Sequence, residues 1–367
     1  MAGSVRKDGT TWYYILERTE NGKRKQSKKR GFSTKKEAQR ALVEAQSALN
    51  SGTYVNPSKL TVAEYLLEWM NDKQHTIGRE TASNNLIYIR NHITPMIGNI
   101  ALSKLSALDI QRVTTRMFEK GLASSTIKRT FNIINTALNK AEKMQLITRN
   151  VASFVDKPKV KKKELEVWDI HEIQQFLETA TTSRYYIAFH LAIMTGMRQG
   201  EILGLRWQDV DFEHCKIYIR QTLSHDGKDF KAGAKTVSGI RSVSVDPTTI
   251  EYLKKHNRIM ENEKRLAKGV FFDKGLVIHT STGNQLIPRN LMREFKQLLI
   301  MADMRKITFH DLRHTHASLL LRQNVHPKIV SERLGHSSIK LTLDIYSHLL
   351  PNMQKEAADN LAQLVFN

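Results

Sequence analysis

A chain of 367 residues with 57 Lys plus Arg against 36 Asp plus Glu carries a formal net charge of +21, and 40% hydrophobic content gives it apolar material for two or three folded domains. This excludes a wholly disordered chain, and the single cysteine, Cys215, excludes an internal disulfide framework or a multi-cysteine zinc site. No apolar run reaches the roughly 18 residues of a membrane span, and the N-terminus carries no apolar signal core, so a soluble, intracellular protein facing a polyanion is expected. DNA or RNA comes first and an anionic membrane surface is the alternative, with the basic excess spread along the whole chain rather than held in one tail.

In chain order, residues 1–57 read as a small unit of strands and one helix. Thr10–Arg18 is β-branched and aromatic, Asn21-Gly22 is a hairpin turn, and Lys23–Phe32 is the partner strand. Ser33 or Thr34 caps a helix whose apolar positions are Ala38, Ala41, Leu42, Ala45 and Leu49, with Gly52 as its stop. Six of the eight residues Lys23–Arg30 are basic. Beside Trp12, Tyr13 and Tyr14 they suggest a nucleic-acid-contacting sheet, with Trp12, Tyr14, Lys23, Arg24, Lys25, Lys28, Lys29 and Arg30 as candidate contacts. The alternative is an edge strand whose lysines prevent aggregation.

Residues 58–157 read as all-helical: Thr61–Lys73, Arg79–Asn91 with Ile93–Ile97 after it, Ser106–Lys120 and Ser124–Met144, punctuated by Gly98 and Gly121. Asp156–Lys163 has the charge and proline of a linker, the divide falling at 158–163. Residues 164–367 form the largest unit. Helices are expected over Trp168–Ala180, Arg184–Thr195 and Gln199–Arg206, strands over Lys216–Thr222 and Arg241–Val245, and further helices to the C-terminus.

Four stretches of this last unit can carry chemistry. In Thr195-Gly196-Met197-Arg198-Gln199-Gly200-Glu201, Gly196 permits a sharp turn that sets Arg198 at a helix start, where a guanidinium binds two phosphate oxygens at once. The alternative is a surface ion pair with Glu201, three residues on. In Phe309-His310-Asp311-Leu312-Arg313-His314-Thr315-His316, His310 and Arg313 project together from one helix face. The imidazoles of His310, His314, His316 and His336 raise a metal reading, which the missing glutamate after His310 and the cation Arg313 between the ligands disfavour. Leu334-Gly335-His336 is followed ten residues later by Tyr346. Lys235 lies between the two later strands in a segment punctuated by Gly227, Gly233 and Gly239.

Together these stretches resemble the tyrosine recombinase family, specifically the integrases of phages and conjugative elements. The order Arg…Lys…His-x-x-Arg…His…Tyr is met by Arg198, Lys235, His310, Arg313, His336 and Tyr346, with Lys228 and Lys231 as the other lysine candidates. The resemblance implies a mainly α chain. A three-stranded β plus helix arm domain (1–57) is followed by an all-α core-binding domain (58–157) and a mainly α catalytic domain with a small antiparallel sheet (164–367). It implies a site-specific recombinase that integrates and excises a mobile element. Tyr346 attacks a phosphodiester to give a 3′-phosphotyrosine, and Arg198 and Arg313 clamp the non-bridging oxygens. His336 adds a hydrogen bond, His310 handles the tyrosine proton and Lys235 protonates the 5′ oxygen. Neither metal nor ATP is needed, and no cofactor is expected. The expected partners are double-stranded DNA at attachment sites and three further copies in a tetramer, with a directionality factor and a DNA-bending host protein. The expected setting is the cytoplasm and nucleoid of a bacterial host. The tail Asn352–Asn367 packs either on its own domain or on a neighbouring protomer. A type IB topoisomerase-like strand transferase and a non-catalytic DNA-binding regulator are the competing readings.

Overall fold

The computed structural model describes residues 3–20, 23–50, 59–159, 165–232, 241–267, 269, 271–346 and 353–366. They fall into two compact units, Met1–Lys163 and Glu164–Asn367.

The first unit opens with an antiparallel sheet, β1 (Gly3–Asp8), β2 (Thr11–Glu20) and β3 (Lys23–Phe32), in the order β1-β2-β3. Helix α1 (Lys35–Asn50) covers one face through Leu42, against Tyr14 and Leu16. The turn Asn21-Gly22 lies outside the described residues. The helical part of the unit comprises α2 (Val62–Lys73), α3 (Arg79–Tyr88), α4 (Thr94–Ile97), α5 (Ala107–Glu119) and α6 (Ser124–Lys143). Thr61 and Ser106 start α2 and α5 with reciprocal capping boxes to Glu64 and Asp109. Between α3 and α4 the backbone widens into a π turn, Ile89–Ile93, ahead of Pro95, which has no N–H to close a normal helical bond. These helices share a core that includes Trp69, Ile89, Met117 and Phe131.

The second unit is built round α8 (Tyr186–Thr195), which is apolar on all sides and buried accordingly. Around it lie α7 (Ile170–Ala180), the short α9 (Gln199–Leu203), α10 (Pro247–Leu266), α11 (Pro288–Met301) and α12 (Phe309–Arg322). The rings of Trp168, Phe176, Phe189, Phe295 and Phe309 pack together in this core. Strands β4 (Val210–Asp211), β5 (Lys216–Ile219) and β8 (Arg241–Ser244) form one antiparallel sheet, and β6 (Gln221–Leu223) pairs with β7 (Phe230–Ala232) in another. The single strand expected over Lys216–Thr222 is therefore two strands. Alternation continues through Arg220, but there the chain leaves β4 and β8 and takes β7 as its partner. Helices α13 (Pro327–Leu334) and α14 (Ile339–Tyr346) close a smaller core with α12, and α15 (Met353–Phe366) follows. Among the described residues no helix is long and apolar enough to cross a membrane.

Candidate functional site

Two turns of left-handed backbone build the site. α8 ends at Gly196, φ 65°, where an added Cβ would also lie 2.7 Å from His316. This turn sends Met197 into the core and leaves Arg198 as the residue that starts α9. The backbone N–H of Arg198 donates to Glu201 Oε2 at 2.8 Å, its Nη1 donates to Glu201 Oε1 at 2.8 Å, and its Nη2 donates to the Gly335 carbonyl at 3.2 Å. The expected ion pair with Glu201 thus exists, but on a carboxylate only 4% exposed.

α12 begins at Phe309 because Thr308 and Asp311 cap it reciprocally. One turn on, Arg313 is 3% exposed and donates to the carbonyls of Gly196 at 2.8 Å and Leu334 at 2.7 Å. The two guanidiniums are therefore tied to consecutive carbonyls, Leu334 and Gly335, at the second left-handed turn (Gly335, φ 65°), and His336 is the next residue. Its Nδ1 lies 2.8 Å from Thr342 Oγ1. Burial, followed by the charges of Arg313 and Arg198, pushes the His336 imidazole down to about 4. Arg313 itself is pushed down to about 9 by burial and by Arg198, and stays a cation at neutral pH.

His310 is exposed on the first turn of α12, its ring edge-on to His314 with centroids 4.9 Å apart. Desolvation by the surrounding protein, then the neighbouring imidazole and guanidiniums, push it down to about 4. Tyr346, the last residue of α14, is 1% exposed, and its hydroxyl shares a 2.6 Å hydrogen bond with His314 Nδ1. Burial raises the phenol well above its ordinary value and lowers His314, so both groups are neutral near pH 7.

The structure thus gathers Arg198, His310, Arg313, His336 and Tyr346. Lys235 lies outside the described residues. Lys228 and Lys231 are exposed at the β6–β7 hairpin. His316 is committed elsewhere: its Nδ1 bonds the Ile193 carbonyl at 2.8 Å and its Nε2 accepts from Arg333 Nε at 3.1 Å. Among the described residues no group of three His, Cys, Asp or Glu is placed to hold a metal ion.

Two participants escaped the sequence reading. His314 was weighed only as a metal ligand, yet it holds the phenol across 32 residues. Arg241, read as a strand start, donates from both Nη atoms to Glu201 at 3.0 and 2.9 Å. The basic residue beginning a strand was its only sequence signal.

The N-terminal sheet corrects one expectation. Tyr14 is 5% exposed, stacked on Phe32 at 5.8 Å and packed in the core beneath α1, so it cannot meet a ligand. The aromatic on the open face is Tyr13, paired with Arg30 and covered by Lys28, whose Nζ lies 3.6 Å from the ring centroid. Strand alternation puts Arg6, Arg24, Lys28 and Arg30 on that open face with Tyr13. Lys25 and Lys29 point to the other side, with Trp12, which is half-buried. Lys23 takes its place at the start of β3.

A basic chain with a tyrosine, two anchored arginines and two histidines gathered at one site is a tyrosine-type site-specific DNA recombinase. The profile of the phage integrase family matches residues 163–353, more than half of the chain, and the chain belongs to that family. An arm DNA-binding domain matches residues 4–49, and the N-terminal SAM-like domain of phage integrases matches residues 61–118. Among its relatives, a XerC-like tyrosine recombinase of Caldanaerobacter subterraneus is 29% identical over 98% of this chain and 97% of its own length. The ICEBs1 integrase of Bacillus subtilis is 26% identical over 77% of each chain. Among solved structures, the Tn1549 transposon integrase in complex with a circular intermediate DNA covers 83% of this chain and 100% of its own, with TM-score 0.71 at 20% identity. A lambda integrase tetramer bound to a Holliday junction covers 94% of both chains, with TM-score 0.62 at 19% identity.

Proposed function

We propose that the chain integrates and excises a mobile element at attachment sites, with Tyr346 as the nucleophile. The observation that carries this is the tie of Arg198 and Arg313 to the adjacent carbonyls of Gly335 and Leu334, which sets both guanidiniums beside His336 while His314, next to Arg313, holds the Tyr346 hydroxyl.

The phenolic oxygen forms a bond to the scissile phosphorus and the bond to the 5′ oxygen breaks. Because burial keeps the phenol protonated, its proton must leave during attack. We assign it to the pair His314 and His310. Lys235 returns a proton to the 5′ oxygen, and the reverse sequence with a 5′ hydroxyl of another strand rejoins the DNA. Arg198, Arg313 and His336 present fixed donors to the non-bridging oxygens as charge builds on the phosphorane. The phosphotyrosine conserves the bond energy, so strand exchange requires neither ATP nor a metal ion.

The open face of the N-terminal sheet, with Tyr13, Arg24, Lys28 and Arg30, takes an arm-type site, where a β-ribbon fits a major groove. Four copies assemble on DNA, as in the lambda tetramer. Leu361, Leu364, Val365 and Phe366 of α15 are exposed and suit packing on a neighbouring copy. A directionality factor and a DNA-bending host protein complete the assembly, which operates in the bacterial cytoplasm on the nucleoid. On this reading the chain divides at 1–57, 58–157 and 164–367, supported by separate apolar clusters around Leu16, Phe131 and Phe295.

A nicked attachment-site duplex traps the covalent intermediate. The wild-type chain is expected to form an adduct that survives EDTA, and Tyr346→Phe to form none while binding the same DNA. Absence of adduct from both would favour a regulator. Relaxation of plasmids lacking an attachment site would favour a topoisomerase.

A further inference from the structure

Arg198 does not find its position alone. Its backbone N–H and Nη1 both end on Glu201, and each Glu201 oxygen is shared with a second guanidinium, Arg241. Arg241 is 8% exposed and uses three donors on two segments: both Nη atoms on Glu201 and Nε on the Arg333 carbonyl at 2.9 Å. It also lies so close to Gly335, the residue whose carbonyl holds Arg198 Nη2, that a Cβ there would be 2.8 Å from Arg241 Nη1. One planar fork therefore grips the carboxylate on α9 and the last turn of α13, and lies against the Gly335 turn that follows it.

We propose that Arg241 is a positioning residue for the recombination reaction, holding the Arg198 guanidinium in place through Glu201 and the Gly335 turn. It rests on the reading of Arg198 as a phosphate clamp. A lysine at 241 would keep the positive charge beside Glu201 but lose the fork, because an ammonium cannot hold two carboxylate oxygens and a carbonyl in one plane. If Arg241 only balanced charge, lysine would serve.

The test uses the full-length chain and the nicked duplex, with adduct formation followed in a single turnover at saturating DNA. Arg241→Lys is expected to slow adduct formation about 10- to 100-fold, below the effect of removing a transition-state donor outright. Affinity for the duplex should stay within about twofold, since Arg241 is 8% exposed and commits its donors to Glu201 and Arg333. Two comparisons separate positioning from loss of structure. In an Arg198→Ala background the same substitution should cost under about threefold, because contacts acting through one group are not additive. On a duplex with a methylphosphonate at the scissile position, where a methyl group replaces one non-bridging oxygen, less charge develops and the Arg241→Lys deficit should shrink to a similar level. An unchanged rate in Arg241→Lys would overturn the proposal. So would an undiminished deficit in the Arg198→Ala background or on the methylphosphonate. Lysine is used in place of alanine so that the charge beside Glu201, and with it the fold, is kept. No adduct from the wild-type chain would bring down the Tyr346 reading itself, a result distinct from a wild-type adduct with an indifferent Arg241.

Discussion

Glu201→Gln should destabilise the second unit far more than its isosteric shape suggests. The carboxylate is 4% exposed and faces Arg241, which is 8% exposed, and Arg198, which is 40% exposed. Removing one partner of a buried ion pair costs about 3–5 kcal/mol, because the other charge stays buried without compensation. The exposed Arg198 arm adds only about 0.2–1 kcal/mol. With a urea slope of about 2–3 kcal/mol per molar for a unit of this size, the midpoint should fall by about 1–3 M. Fluorescence reports on the unit through Trp168, which is 1% exposed. Replacing both Glu201 and Arg241 by methionine should recover most of the loss, since the buried Arg241 charge then goes with its partner and only the partly exposed Arg198 loses a carboxylate. The acid limb adds a check. Burial alone would raise the Glu201 carboxyl, but the hydrogen bonds and charge of Arg241, helped by Arg198, outweigh it and hold the group below its ordinary 4.5. Its stabilisation is complete above pH 4.5 and is lost as pH falls through the lower folded value, so the gap between wild type and Glu201→Gln should close in acid. A Glu201→Gln midpoint within about 0.2 M of wild type at neutral pH would refute this reasoning, as would a double variant no better than the single.

Further outcomes follow from other contacts. His314→Ala leaves a buried phenol without its partner, and a double-mutant cycle with Tyr346→Phe should give a coupling of about 1 kcal/mol in urea unfolding; a coupling below about 0.3 would detach the two residues. Burial pushes His190 and His256 down to about 4 and His316 to about 3 from an ordinary 6.5, so the unfolded chain binds protons that the folded chain refuses. The urea midpoint should therefore drop between about pH 6.5 and pH 5, and a flat profile there would contradict the burial argument. Lys28→Ala should lower the salt dependence of arm-site binding by about one unit in the log–log slope. Tyr14→Ala should instead destabilise the sheet by about 3–5 kcal/mol, as a buried aromatic truncation does.

Much of this architecture is written in local signals. The caps at Thr61, Ser106, Asp169 and Thr308 are short-range hydrogen-bonding patterns, and the helices started by the first three lie within two residues of their expected bounds. The arginine, histidine and tyrosine stretches were legible because each is short and ordered along the chain. What was hidden depends on partners. The run Trp12-Tyr13-Tyr14 reads as a strand whichever way it faces, and only Leu42 of α1 decides that Tyr14 goes in and Tyr13 out. The break at Arg220 is a change of neighbouring strand, which leaves the side-chain alternation unmarked. Arg241 reaches Glu201 across 40 residues, and His314 reaches Tyr346 across 32, so no spacing rule connects either pair.

The choice of acceptors explains how the site can be both ordered and strongly positive. A guanidinium oriented by a carboxylate has its charge cancelled, whereas one oriented by a carbonyl keeps it. Among the described residues Arg313 donates to two carbonyls, Gly196 and Leu334, and to no carboxylate. Arg198 and Arg241 share one carboxylate, so three guanidiniums against Glu201 leave two positive charges. The histidines add hydrogen-bonding capacity without charge, since His310 and His336 are pushed down to about 4. Burial first, and then repulsion from Arg198, lower Arg313, so the surroundings favour either the loss of a positive charge or the arrival of a negative one. On the proposed reading, a phosphodiester gaining a second negative charge in the transition state would supply the latter. Donors already aimed by the backbone need no reorganisation when that charge develops, so the repulsion carried in the folded chain becomes attraction at the point of reaction.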